Sequence, residues 1–431
     1  MVNIQLFPRR QLTLRNWRDA GVLALAALLL RLTIIFLVPE PDRQIDVAIY
    51  MEAGRLVNLG VNPYDFEDEP SIREAARSDV WAFRPFTNET QSRWNYYISS
   101  NLPLSTLIWS LIDKIGSSQR GFQIAFAIFD TVVCLTAALW LLSVWNGPPN
   151  AGLRYAILAG LVIVNPMPLI WGTLVTEDKS LTVFWIISGL LLVLSKSRAL
   201  RFLGAFVLGC SVAYKLVGVF YVIPGLLAAG INVENRDRWR ELALLLFVSA
   251  AGACIWFIPF GFDAVSKAIE RLLITESLTT PAHSSPWRVF AIWWPNSWNL
   301  WRILACLGIT VGGMLIAIKR HTPLVIWLSH VSVIYVGLWL FSGSPDRFAM
   351  VVLPMILVVG GYNYRAASRL AVAYFLCGLV ALIALFLHRI SFSSVEPEVA
   401  AALSIGIYTI VVTGEMFFIR PLPRDSKAIS L

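Results

Sequence analysis

Apolar runs long enough to cross a bilayer recur from one end of this chain to the other, and most of its Lys and Arg fall in the short turns between them. That pattern restricts the fold more than any other feature. The first run, Ala20 to Val38, follows Arg9, Arg10, Arg15 and Arg18. It is long enough to span, so it predicts an uncleaved first helix in place of a signal peptide. Further spans are expected near 121–145, 155–171, 180–195, 201–215, 216–230, 240–260, 299–318, 322–341, 347–362, 369–388 and 399–418. With the first, they make about twelve transmembrane helices with both termini inside, in an all-α polytopic membrane protein. Cytoplasmic turns then hold Arg154; Lys196, Arg198 and Arg201; Arg236, Arg238 and Arg240; Lys319 and Arg320; Arg365 and Arg369; and Arg420, Arg424 and Lys427. A composition of 57% hydrophobic and 14% charged residues excludes a soluble enzyme with a large core. The net charge of +8 is dispersed over these turns, so it orients the spans and does not mark a nucleic-acid partner. Cys134, Cys210, Cys254, Cys306 and Cys377 all lie in apolar segments and read as small core residues.

Four parts follow from this map: a cytoplasmic tail (1–19), a transmembrane module (20–230) with an outer loop at 40–120, a second module (231–419) with an outer loop at 261–298, and a tail (420–431). Residues 40–100 carry both charges and aromatic rings, which predicts a segment that folds on the membrane surface. Within it, Asp46 and Tyr50 share a helix face. Gly60 reads as the helix stop, and Asn62-Pro63-Tyr64 as the turn after it. Residues 101–116 are too few to cross, and their apolar spacing predicts an amphipathic helix in the outer interface.

This topology brings several polar residues to one side of the membrane: Asp46, Glu177-Asp178-Lys179, Lys215, His283 and Asp346-Arg347. Each has an ordinary account by itself. Asp46 caps its helix; Glu177, Asp178 and Lys179 pair within a solvated loop; Lys215 snorkels; His283 is a loop histidine; Asp346 and Arg347 pair. Together they suit a lipid-linked phosphate held by cations while a carboxylate takes a hydroxyl proton, with rings such as Trp94, Tyr96, Tyr97 and Trp287 against a sugar.

The ordered set Asp46, Tyr50, Ala53-Gly54, Gly60, Asn62-Pro63-Tyr64, Leu102-Pro103-Leu104, Trp109, Asn165-Pro166, Glu177-Asp178, Lys215 and Pro224 resembles the GT-C superfamily of polyprenol-phosphate-sugar glycosyltransferases. The likeness is clearest to bacterial polyprenol-phosphate-mannose mannosyltransferases and GPI mannosyltransferase I. It covers roughly 20–230. The later half matches in span number, an outer-loop His and Asp346-Arg347-Phe348 before Pro354, and the Gln usual before the family's loop Asp is replaced by Glu177. The resemblance implies Asp46 as general base of an inverting displacement, His283, Lys215 and Arg347 on the lipid phosphate, and Glu177 and Asp178 orienting the sugar or a basic group, with Tyr50, Trp94 and Tyr97 as further substrate-binding residues. It implies a polyprenyl-phosphate hexose donor, mannose by likeness, and a glycolipid or cell-envelope glycan acceptor. The enzyme would be multi-pass in the inner or plasma membrane with its site on the outer face. Some members use a divalent metal; with His283 the lone histidine near the site, no protein-built metal site is expected. Rivals are a GT-C transferase acting on lipid A or protein, and a transporter or flippase of lipid-linked glycans. The last would need charge near mid-membrane, for which Arg31 is the clearest candidate, local pairing being its ordinary account.

Overall fold

The computed structural model describes residues 13–38, 45–64, 101–144, 151–174, 176–195, 197–231, 237–261, 263–278 and 353–360, with parts of 292–304 and 368–383. They form helices, with no strand among the described residues. In chain order these are α1 (Leu14–Leu37), α2 (Ile45–Asn58), α3 (Pro103–Ile115), α4 (Gln119–Val144), α5 (Ala151–Leu158), α6 (Lys179–Val193), α7 (Arg198–Tyr214), α8 (Val219–Ile231), α9 (Arg238–Cys254), α10 (Asp263–Leu278) and α11 (Leu353–Gly360). α4, α6, α7 and α8 start and stop within a few residues of the expected bounds, and α9 runs on through a 3-10 turn to Phe260. Among the described residues three helices are long and apolar enough to cross a membrane: Leu14–Leu37, Gln119–Leu142 and Trp239–Phe260. The expected spans at 299–318, 322–341 and 399–418 lie outside the described residues, apart from Leu300, Trp301 and Leu304.

The packing of α1 is that of a helix in oil: small and polar side chains inside, large apolar ones outside. The buried stripe of α1 is Ala20, Ala24, Ala27, Arg31 and Ile35, and its exposed side carries Val22, Leu25, Leu29, Phe36 and Leu37. Small residues let α1 lie close along α4, which buries Ala127, Ala137 and Ala138. Arg120, one residue into α4, donates to the carbonyls of Ile35 and Val38 and so satisfies the last turn of α1. Helices α7 and α9 touch backbone to backbone, since a Cβ on Gly209 would lie 2.0 Å from the Ser249 carbonyl oxygen.

Two expectations are corrected by the packing. Arg31 does not pair locally. It is fully buried and its partner is Asp130, 99 positions along the chain, which is 2% exposed. The span near 155–171 is not a regular helix either. α5 passes into π-helical turns at Ala159–Ile163 and Leu169–Leu174, on either side of Asn165-Pro166. Proline lacks the N–H that would continue the ladder, and the wider turns absorb the break.

The helix carrying Asp46 sits inside the protein. Val47 to Gly54 are all buried, packed on α3 and on Phe122 and Phe126 of α4. Gly54 makes this possible, because a Cβ there would lie 2.7 Å from the carbonyl carbon and oxygen of Trp109. Gly54→Val is expected to push α2 from α3 and cost about 1–3 kcal/mol, read as a lower midpoint of thermal unfolding in detergent.

Candidate functional site

Helix α2 ends as the sequence predicts, and the ending anchors the site. Gly60 has φ +76, a conformation glycine adopts without a Cβ clash. Its N–H donates to the Val57 carbonyl (3.0 Å), and that of Val61 to the Leu56 carbonyl (2.9 Å). This is the paired closing pattern of a helix C-terminus, with Val61 packed back on the cluster that holds Leu56. The Asn62 side chain then accepts from the Tyr64 N–H (3.1 Å) and donates to the Phe260 carbonyl (3.0 Å), while the Tyr64 hydroxyl donates to the Asn101 carbonyl (2.8 Å). The turn is thus pinned to the end of the Trp239–Phe260 helix and to the entry of α3.

At the other end of α2, Asp46 lies within the first turn and is part-buried. A carboxylate there is favoured by the helix dipole. One turn on, the buried Tyr50 ring stacks against Trp109 (centroids 4.4 Å) and meets Phe126 edge-on (5.9 Å).

The acidic loop comes down onto this ring. Thr176 takes φ 57, a left-handed conformation costly for a β-branched residue, and it is fully buried. Glu177, Asp178 and Lys179 follow. The first two have no exposed surface and Lys179 is 5% exposed, so the solvated-loop account fails. The Tyr50 hydroxyl donates to Glu177 Oε2 (3.2 Å) and Asp178 Oδ1 (3.3 Å). Lys179 Nζ lies 3.0 Å from Glu177 Oε2 and 3.6 Å from Asp178 Oδ1. A cation on the first residue of a helix opposes its dipole, and the two preceding carboxylates offset that.

A third segment completes the cluster. α7 stops at Tyr214, whose hydroxyl donates to Asp178 Oδ2 (2.9 Å). Lys215 Nζ reaches Asp178 Oδ1 at 2.5 Å and stands 6.0 Å over the Tyr50 ring. Its side chain is 18% exposed, so it reaches the rim of the cluster. The carboxylate of Asp46 is near enough to act electrostatically on both Tyr50 and Lys179. Burial, then the carboxylates of Asp178, Glu177 and Asp46, hold the Tyr50 phenol well above its ordinary range, so it is a neutral donor at any physiological pH.

The cluster is recessed. Gln123 donates to the Thr173 carbonyl (3.0 Å), Phe126 meets Tyr50, and Asp130 accepts from Ser180 (3.0 Å). These three α4 residues lie about 6 to 17 Å below its first residue at about 1.5 Å of rise per residue.

Asp46, Tyr50, Glu177, Asp178 and Lys215 are therefore brought together. Trp94, Tyr97, His283 and Arg347 lie outside the described residues. Sequence reasoning assigned no role to Tyr214, Gln123, Asp130 or Ser180. Adjacency to Lys215 was the available signal for Tyr214, and an acid inside an apolar span was the signal for Asp130. Among the described residues no three His, Cys, Asp or Glu side chains gather as metal ligands. No protein-family model, curated protein or solved structure matches the chain.

Proposed function

We propose that the chain is a multi-pass glycosyltransferase of the GT-C type, with about twelve spans, that moves a hexose from a polyprenyl-phosphate donor to a lipid or cell-envelope glycan acceptor at the outer membrane face. The observation that supports this most is the meeting of α2, the 176–179 loop and the end of α7 around Asp178, with part-exposed Asp46 and Lys215 at its edge. A lipid-borne phosphate needs a cation near the outer boundary of the hydrocarbon and an entry for an aqueous hydroxyl, and a recessed cluster with a polar rim answers both.

In this reading the acceptor hydroxyl gives its proton to the Asp46 carboxylate as its oxygen attacks the sugar carbon from the face opposite the phosphate. The carbon–phosphate-oxygen bond breaks, the electron pair leaves with the polyprenyl phosphate, and the configuration inverts. Lys215 has three N–H groups and spends one on Asp178, which leaves donors for the phosphate. His283 and Arg347 would join it. The site acids hold cations already, so Asp178 serves chiefly to aim Lys215.

A transporter would place exchangeable charge at mid-membrane. Arg31 and Asp130 are so placed, but Arg31 also donates to the carbonyls of Ala27 (3.0 Å) and Val162 (3.2 Å), and Asp130 accepts from Ser180. The pair is engaged on every side by protein groups, which favours a bracing role.

Mass spectrometry of lipids copurifying with the protein is expected to find a polyprenyl-phosphate hexose. With that donor in a transfer assay, Lys215→Ala should raise its KM about tenfold or more, the loss of a charged hydrogen bond. An unchanged KM and no such lipid would sink the reading.

A further inference from the structure

Three buried polar groups outside the cluster make one bridge. Arg31 on α1 donates through Nε to Asp130 on α4, and the other oxygen of Asp130 accepts from the Ser180 hydroxyl (3.0 Å) at the head of α6. Arg31 and Ser180 have no exposed surface and Asp130 has 2%. Arg31 also reaches the Val162 carbonyl (3.2 Å), a group in the π-helical turn that cannot close a normal helix bond; the Cys134 thiol donates to that carbonyl too (2.8 Å). The bridge therefore grips the irregular span before the acidic loop and the helix after it. Ser180 directly follows Lys179, and Asp178 is the residue before that. Between the two grips the backbone passes through the strained Thr176. A loop strained in this way holds its shape only when its ends are fixed.

We propose that Asp130 and Ser180 are positioning residues that fix the depth and rotation of the α6 head, and through it the placement of Asp178 against Lys215, with Arg31 as the counter-charge of the buried Asp130. The link to Lys215 stands on the packing; the link to sugar transfer rests on the glycosyltransferase reading. Ser180 is the transmitting contact. Asp130 holds it, and Arg31 is the ion-pair partner of the Asp130 carboxylate, a partner the neutral Asn amide does not need. A buried pair of this kind serves placement better than stability, since an apolar pair of like size often folds as well.

The test uses the full-length protein in detergent and the acetylation rate of Lys215 by sulfo-NHS acetate, read by peptide mass spectrometry against the exposed Lys114. Ser180→Ala is expected to speed Lys215 acetylation about fivefold, as Asp178 loses its fixed place. Arg31→Met with Asp130→Asn removes both charges but keeps an acceptor for Ser180, and should stay within about twofold of wild type. Arg31→Met with Asp130→Leu removes the acceptor as well, and should match Ser180→Ala. Wild-type acetylation in Ser180→Ala overturns the proposal even if the double variants fail to fold; so does equal acetylation in the two folded double variants. Donor KM measured on the same variants separates the two readings. Faster acetylation with no transfer activity in any form of the protein leaves the positioning role standing and ends the glycosyltransferase one.

Discussion

Asp46→Asn should lower kcat for transfer from a polyprenyl-phosphate hexose by about 10²- to 10⁴-fold, with donor KM changed by less than about twofold. The substitution keeps shape and hydrogen-bonding reach, and removes only the ability to take a proton. The split between kcat and KM follows from the layout. Asp46 lies in the first turn of α2, part-buried, whereas Lys215, the described residue proposed to hold the donor phosphate, belongs to another segment and is held by Asp178. The helix core below Asp46 is anchored independently by Gly54, by the Tyr50–Trp109 stack and by the Gly60 closing turn, so the variant should fold as wild type does. Initial rates with radiolabelled donor and a fixed acceptor measure both constants. Equal loss in kcat and donor affinity, or no loss, would remove Asp46 from the role of base and return it to stabilising the start of its helix.

The parts of this fold that were legible in the sequence are those whose cause is local. An apolar run must be long to span, so α1, α4 and α9 are visible as composition alone. The α2 stop was visible because only glycine takes φ +76 without strain at that place, and Asn62 before Pro63 makes its turn with its own side chain. The depth of the acidic loop was not visible. Three charges in a row look like a solvated turn, and what makes them a core is the arrival of Tyr50 from 127 and 128 positions away and Tyr214 from 36. No pattern within the loop encodes those partners. The same holds for Arg31, whose carboxylate lies on another helix. Asn165-Pro166 announced an interruption but not its form; π-helical turns depend on which outside donors can serve the loosened carbonyls, and those are Arg31 and Cys134. The residues of the candidate site were thus readable as an ordered set along the chain, while their mutual geometry belonged to tertiary packing.

The largest stability effect is expected at Asp178. Asp178→Leu should destabilise the protein by about 3–5 kcal/mol, seen as a marked fall in the unfolding midpoint in detergent, because it removes the shared acceptor of a mostly buried cluster. Both carboxylate oxygens are in use: Oδ1 meets Lys215 (2.5 Å) and Tyr50 (3.3 Å), and Oδ2 meets Tyr214 (2.9 Å). Remove them and one ammonium and two phenols lose an acceptor at once, at a residue with no exposed surface. Asp178→Asn should cost less, since one oxygen still accepts, but its amide then faces the Lys215 ammonium or the Tyr214 hydroxyl with the wrong polarity. The double variant Asp178→Leu with Lys215→Met decides between two accounts of the loss. If the stranded charge dominates, removing it should recover a large share of the stability; if the phenols dominate, the double variant should stay near the single one. Full wild-type stability in Asp178→Leu would mean that the four side chains are neighbours without being a unit, and the argument that Asp178 aims Lys215 would fall with it. Partial recovery without return of donor binding is the result expected of a hub that both holds the helices and presents the cation.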